Sequence, residues 1–256
     1  MKLTYICNQG ILLEENGAKL LIDAPTRPES CEPKHRYLCT TEAQDRAIET
    51  GKPPFDGLEA MLFTHTHGDH FWDEGVAARL AWDTRVHACV PWSDTKLLTA
   101  LQSASFERLH WLHPDSMGMP REFVFGPFRV TAFPTRHIGT IFANEVHFAY
   151  LVRCGEHRIF HAGDTIPNGE LYTRLALAGS GVTLAVLPFT YVSLPSGVKV
   201  TSELIRPKRI AALHFPRPEC DDENWIESTI DRYEHRTRLL LPPVDFQREP
   251  GQVLEL

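Results

Sequence analysis

Thr64-His65-Thr66-His67-Gly68-Asp69-His70 is the stretch from which this chain is read. It follows an apolar run at 58–63 with the makeup of a buried strand, so three imidazoles and a carboxylate sit where a strand meets a loop. In extended backbone, side chains two apart project to one side, which lets His65 and His67 grip one ion together. Gly68 then permits a turn that a β-carbon resists, sending Asp69 and His70 towards a second ion. Imidazole nitrogen and carboxylate oxygen suit zinc, iron or manganese. His makes up 13 of the 256 residues. At that frequency a chance H-x-H-x-D-H is roughly a one-in-several-hundred event, so the motif outweighs a merely His-rich surface loop.

Upstream, 3–7, 11–15 and 19–22 read as three short strands, with Asn8-Gln9-Gly10 and Asn16-Gly17 as the turns between them. The third strand ends in Asp23, which is either a turn former or a group that orients a metal-binding histidine through its far nitrogen. Residues 25–55 then interrupt the pattern, rich in Pro, charge and Cys, with one helical stretch at 41–49. Connections of that length tend to be functional lids or mobile segments. Arg27, Lys34, His35, Arg36 and Tyr37 are its candidates for reaching over a neighbouring site, or else its ordinary solvated groups.

Downstream, 73–82 reads as a helix with an acidic start, 85–90 as a strand, and 91–104 as a second helix opened by Pro91. A hairpin over 122–125 and 128–133 runs into Pro134-Thr135-Arg136-His137-Ile138-Gly139, where a strand-end histidine can add a ligand. His110 and His113 compete with it, but beside Trp111 and Pro114 they have the setting of loop or surface residues. Strands at 145–153 and 158–161 lead into His161-Ala162-Gly163-Asp164-Thr165. Asp164, on a tight turn, suits bridging two cations; capping a helical segment at 168–178 is the other reading. A strand at 182–188, a short helix at 201–205, a strand at 209–213 ending in His214-Phe215-Pro216, and an amphipathic helix at 222–236 complete the pattern. His35, His87, His147, His157 and His235 read as surface or core imidazoles. His161, Arg136 and Tyr191 are substrate-contact candidates, and Trp72 either walls the substrate or packs under the helix that follows it.

The 43% apolar share supports a sizeable core, and the absence of any linker, repeat or low-complexity tract predicts a single domain over 1–256. A net charge of −7 and a pI near 6.0 make nucleic acid an unfavoured partner. The first 17 residues lack a signal peptide's basic start and apolar core. No stretch approaches the roughly 18 apolar residues of a membrane span. Six scattered cysteines without a C-x-x-C pair are expected to be reduced thiols of a cytoplasmic protein, although Cys31 and Cys39 could clip a structural zinc.

Taken jointly, L-I-D at 21–23, T-H-T-H-G-D-H at 64–70, His137, A-G-D-T at 162–165 and L-H-F at 213–215 resemble the metallo-β-lactamase-fold hydrolases. The resemblance runs in order along nearly the whole chain, the insertion at 25–55 apart. It implies an α/β fold of four αββα layers, two mixed sheets face to face with helices outside and the site at one edge. It further implies that His65, His67 and His137 hold a first metal, that Asp69, His70 and His214 hold a second, and that Asp164 bridges them. Asp23 would support a ligand from behind, and the insertion would lie near the site.

The implied cofactors are two divalent transition metals, zinc foremost, with manganese or iron as alternatives. The implied activity is hydrolysis by a metal-bridging hydroxide, with Asp69 orienting the nucleophile or carrying its proton. The stretch from Leu187 to His214 is similar to ascorbate-6-phosphate lactonase-like hydrolases, and also to tRNA 3′-processing ribonucleases and small phosphodiesterases. The reading therefore favours an ester or lactone of a small molecule, with phosphodiester cleavage as the alternative. A non-catalytic metal-dependent ligand binder and a di-iron redox protein stand behind these, and a homo-oligomer is open.

Overall fold

The computed structural model describes residues 1–31 (the Cys31 side chain excepted), 35–93, 98–103, 106–114 and 118–256. Among the described residues, short apolar runs bounded by Gly, Asn and Pro form fourteen strands in two seven-stranded sheets. The first sheet contains Lys2–Cys7 (β1), Gly10–Glu15 (β2), Ala18–Ile22 (β3), Leu58–Leu62 (β4), His87–Pro91 (β5) and Leu109–Leu112 (β6) in that order. The second runs Arg121–Phe125 (β7), Phe128–Thr135 (β8), His147–Cys154 (β9), His157–His161 (β10), Leu184–Pro188 (β11), Arg209–Leu213 (β12) and Val244–Phe246 (β13). Val253–Glu255 (β14) returns to pair antiparallel with β1 at the edge of the first sheet.

Both sheets are built alike. β1 to β3 are antiparallel and β3 to β6 parallel; β7 to β10 are antiparallel and β10 to β13 parallel. Parallel neighbours need crossovers, and these carry the helices: Glu42–Thr50 (α1), Asp73–Trp82 (α2) and Thr99–Gln102 (α3) over the first sheet. Gly169–Leu175 (α4), Thr190–Ser193 (α5), Pro195–Lys199 (α6) and Trp225–Arg232 (α7) cover the second.

Alternation along the strands divides the core into three layers. Leu3, Tyr5, Ile11, Leu13, Leu20 and Ile22 meet Phe128, Val130, Phe148, Tyr150, Val152 and Val186 between the sheets. The opposite parity turns outward, so Leu12, Leu21 and Met61 pack under α1 and α2 while Leu151, Phe160 and Leu187 pack under the helices of the second sheet. The αββα expectation is met. In parallel βα units, strand C-termini share one edge, which brings the ends of β3, β4, β10 and β12 to the same side of the sandwich.

Several local expectations are corrected. Pro91 closes β5, opposite Leu112 of β6; of the helix expected over 91–104, Thr99–Gln102 is α-helical with Leu98 in a 3-10 turn before it, while 94–97 and 104 lie outside the described residues. A fixed φ suits the end of a strand as well as the start of a helix. His110 belongs to β6, with its Nε2 3.0 Å from Nδ1 of His87, and takes no part in the site. Asn168, whose side chain accepts from the Leu171 amide at 3.0 Å, caps α4, which leaves Asp164 uncommitted to a helix. The closing helix at 222–236 is shorter, α7 passing into a wider π turn at Tyr233–Thr237. The Cys31 side chain and Lys34 lie outside the described residues, while Cys39 Sγ approaches the Ser30 carbonyl at 3.2 Å.

Candidate metal centre

The strand ends deliver their side chains to one buried spot. His65, His67 and His137 have ligand atoms within 4.8 Å of one another, as do His65, His70 and Asp164, and Asp69, His70 and His214. Asp164 lies between the outer groups: Oδ2 is 3.4 Å from His137 Nε2 and 3.6 Å from His70 Nε2, and Oδ1 is 3.4 Å from His214 Nε2. All seven expected ligands are therefore brought together.

Hydrogen bonds behind the imidazoles settle which nitrogen faces the centre. The Asp23 carboxylate accepts from the Thr64 amide and hydroxyl, both at 2.7 Å, and from His70 Nδ1 at 3.0 Å. With its own proton given to Asp23, the Thr64 oxygen accepts from His65 Nδ1 at 3.0 Å. His137 Nδ1 donates to the Ile138 carbonyl. Each of these three rings thus turns Nε2 inward, the arrangement that fixes a metal-binding tautomer. Asp23 holds φ at +51° in this position, and His214 sits at +64°.

The residues present fit cations. Nε2 of His137 and of His214 is buried without a hydrogen-bond partner, an arrangement a protein without a ligand for them would leave costly. His65 Nε2 and His67 Nδ1, the inward acceptors of adjacent rings, lie 3.0 Å apart. Burial, reinforced by His70 and His147, holds the His65 imidazole well below its ordinary pKa, and burial with His137 lowers that of His67, so both stay neutral and able to ligate. For Asp164 burial alone would favour the protonated acid, but His214 and His70 hold it well below the usual carboxylate range. At His70 burial is overcome by Asp69, Asp164 and Asp23, which raise the imidazole to about 10. That negative field is what a pair of cations would neutralise.

Other members of the site are not evident from the linear pattern. Asn8-Gln9-Gly10, read as a plain turn, is buried: Asn8 Nδ2 donates to Asp69 Oδ2 at 3.0 Å, and Gln9 Nε2 donates to Asp164 Oδ1. His147, read as a surface or core imidazole, is a buried brace. Its Nε2 accepts from the Asp164 amide at 3.0 Å and its Nδ1 lies 2.7 Å from the Thr135 hydroxyl. Gly163, at φ +54°, lets this turn approach so closely that a β-carbon would lie 2.6 Å from Thr64 Cβ. Gly68 serves differently from expectation. It is not among the positive-φ residues; a β-carbon there would meet Ser30 Oγ at 2.1 Å, so it admits the insertion.

Part of that insertion walls the centre. A cavity of about 340 Å³ is lined by Ser30, His35, Arg36 and Tyr37 together with His67, Asp69, His137, Asp164 and His214. The Tyr37 ring packs on His214 with centroids 4.1 Å apart, and Phe142 lies 4.8 Å from both His67 and His137. Four proposed substrate contacts are corrected. His161 is fully buried and ties the Gln9 carbonyl at 3.0 Å, and Tyr191 is fully buried, donating to the Thr165 carbonyl at 2.7 Å. Arg136 is exposed and is not among the residues that line the cavity. Trp72 lines a separate cavity with Pro28, Thr40 and Asp45 beneath α1.

Two facing mixed sheets with a His/Asp cluster at one shared edge define a metallo-β-lactamase-type sandwich. The chain belongs to the beta-lactamase superfamily, whose domain matches residues 21–198. It is 26% identical over 245 residues to a UPF0173 metal-dependent hydrolase of Bacillus pumilus, covering 89% of this chain and 92% of the relative. In shape it is similar to the metallo-β-lactamase fold protein YhfI of Bacillus subtilis, with a TM-score of 0.61 and 15% identity over 99% of this chain and 98% of YhfI. CmlA, a diiron β-hydroxylase from Streptomyces venezuelae, superimposes with a TM-score of 0.63 at 14% identity, this chain spanning 54% of its length and 100% of its own.

Proposed function

We propose that the protein is a metal-dependent hydrolase of small molecules, working with two divalent transition metals, zinc foremost, on an ester or lactone. The observation that carries this reading is the pair of ligand groups flanking Asp164, with the buried Nε2 atoms of His137 and His214 left unpartnered. Five imidazoles among seven ligands favour zinc over harder cations. The relatives named as metal-dependent hydrolases agree with it.

His65, His67 and His137 would hold one cation, Asp69, His70 and His214 the other, and Asp164 both. When bound, such a pair supplies a water acidified to near neutrality and polarises the electrophile. The chain's own groups do the rest. Gln9 pins one oxygen of Asp164, while His214 and His70 keep the carboxylate ionised. Asp69, steadied by Asn8 and only half-buried, is the group placed to orient the attacking water and pass its proton to the leaving oxygen. Burial, with Asp164 and Asp69 nearby, pushes the Tyr37 phenol upward, so Tyr37 faces the substrate as a hydrogen-bond donor. Hydrolysis breaks the acyl–oxygen bond and adds water across it, giving an acid and an alcohol.

The ester preference rests on the walls. Among the described residues Arg36 is the only Lys or Arg lining the polar cavity, and it is already paired with Glu223 at 2.9 Å, a poor setting for a polyanion. Metal-loaded protein assayed on lactones, aryl esters and bis-aryl phosphates tests the order; turnover of the phosphates alone would reverse it. Asp164→Ala should lower turnover by at least about 100-fold with the fold intact by circular dichroism. Retained turnover with one metal bound would reject the bridged arrangement.

A further inference from the structure

Beyond the polar cavity lies a second, of about 450 Å³, which shares Tyr37, Ile138, Asp164 and His214 with it. That volume is in the range of small-molecule sites. Pro188, Phe189, Leu194 and Trp225 form its apolar wall, Phe189 lying 5.5 Å from Trp225 between ring centroids. At its other limit it shares Ser193 and Arg232 with a neighbouring surface cavity. It therefore leads from the candidate centre, past aromatic side chains, to a guanidinium.

Helix α7 sets the length of that path. Trp225, Ser228, Thr229 and Arg232 line the cavity at helical spacings of three, four and seven, one face of the helix. At 1.5 Å per residue, Arg232 stands about 10 Å along the axis from Trp225. The Trp225 end is the one nearer the candidate centre. Arg36 stacks over its ring at 4.5 Å, and the adjacent Tyr37 packs on His214.

Two groups on these walls await a polar ligand. Arg232 donates to the Ser193 carbonyl at 2.9 Å and forms no ion pair among the described residues, whereas Arg36 has Glu223. The Thr190 hydroxyl, on the same wall, is buried without a hydrogen-bond partner. Resting on the hydrolase reading above, we infer that the substrate is an amphipathic acyl compound. Its ester or lactone group lies at the metals, its apolar chain runs along α7, and a remote carboxylate is received by Arg232. Arg232 is then the specificity-determining residue, since a charge-assisted pair in a partly dry cavity discriminates strongly against a neutral end.

The probes are p-nitrophenyl monoesters of suberic and sebacic acids, compared with the same esters whose far carboxyl is methylated. The metal-loaded wild type should favour the acids about 10- to 100-fold in kcat/KM, chiefly through KM, and should show no such preference for a succinate monoester too short to reach. Arg232→Gln should bring the acid-to-methyl ratio towards one, and Arg232→Lys should keep part of it. A wild-type ratio of one, a ratio unchanged in Arg232→Gln, or equal loss in the Lys and Gln variants would overturn the inference while leaving hydrolysis standing. If no ester is turned over, suberate binding to metal-loaded wild type and Arg232→Gln is measured by calorimetry. Binding lost in the variant keeps the ligand class, whereas no binding to wild type, or equal binding to both proteins, overturns the inference; the hydrolase reading is judged separately by the substrate panel above.

Discussion

Asp23 shows how much of a metal centre is built behind its ligands. One buried carboxylate receives the Thr64 amide, the Thr64 hydroxyl and His70 Nδ1, and through that hydroxyl it also fixes His65. It therefore aims one imidazole from each proposed metal position. Asp23→Ala should weaken metal binding about 10- to 100-fold, read by competition with a chromophoric chelator, and Asp23→Asn should weaken it less. Unchanged affinity in the Ala variant would mean that packing alone holds the rings. Asp23 was legible because it ends an apolar strand at a position shared with the other ligands. His147 was not. It starts β9 on the parity of Ala149 and Leu151, opposite to that of Phe148, and its ring finds partners only where the Thr135 hydroxyl of β8 and the Asp164 turn after β10 close on it. Asn8 and Gln9 were hidden likewise, since a polar hairpin turn and a buried polar clamp have the same composition.

Elements with strong periodicity or firm punctuation were read nearly to their ends: β1 to β4, α1, α2, the β7–β8 hairpin and β9 to β12. Besides the helix expected from Pro91 and the ends of that at 222–236, the elements not foreseen are pieces of three to five residues, α5, α6, β6, β13 and β14, too short to carry a period and formed because neighbours hold them. The junction of α5 with α6 is the instructive case. A β-carbon on Gly197 would lie 2.3 Å from the Thr190 carbonyl oxygen and 2.5 Å from Tyr191 Cα, so the two helices meet backbone to backbone. Gly197→Ala should cost about 1–3 kcal/mol, seen as a lowered midpoint in thermal unfolding, because backbone cannot step aside as a side-chain tip can. An unchanged midpoint would show that the helices can separate freely. Since α5 carries Thr190 and Ser193 of the apolar cavity, the same variant probes the rigidity of its wall.

The assembled sandwich concentrates imidazoles and carboxylates from both sheets at one edge, so metal binding and folding should be linked. Cations that bind only the folded chain stabilise it by about 2.7 kcal/mol when present at a hundred times their Kd. Removing them by chelation should lower the melting temperature by roughly 5–10 °C in a chain of this size, with zinc restoring it. A melting curve indifferent to chelator and zinc would deny the site its metals. No helix among the described residues is long and apolar enough to cross a membrane. What the linear pattern decided was the chemistry: H-x-H-x-D-H, two acids and two lone histidines, each at the end of an apolar run, name a ligand set and the class of fold that can gather it. Strand ends are written locally, in apolar runs and the breakers that stop them. What only folding decided was which neighbours those ligands acquired: His147, Asn8 and Gln9 behind the centre, Tyr37 above it, and the passage along α7 to Arg232. These contacts join residues tens to hundreds of positions apart, and they exist only because two sheets close face to face; no local signal in the chain can encode the distance between side chains from different sheets.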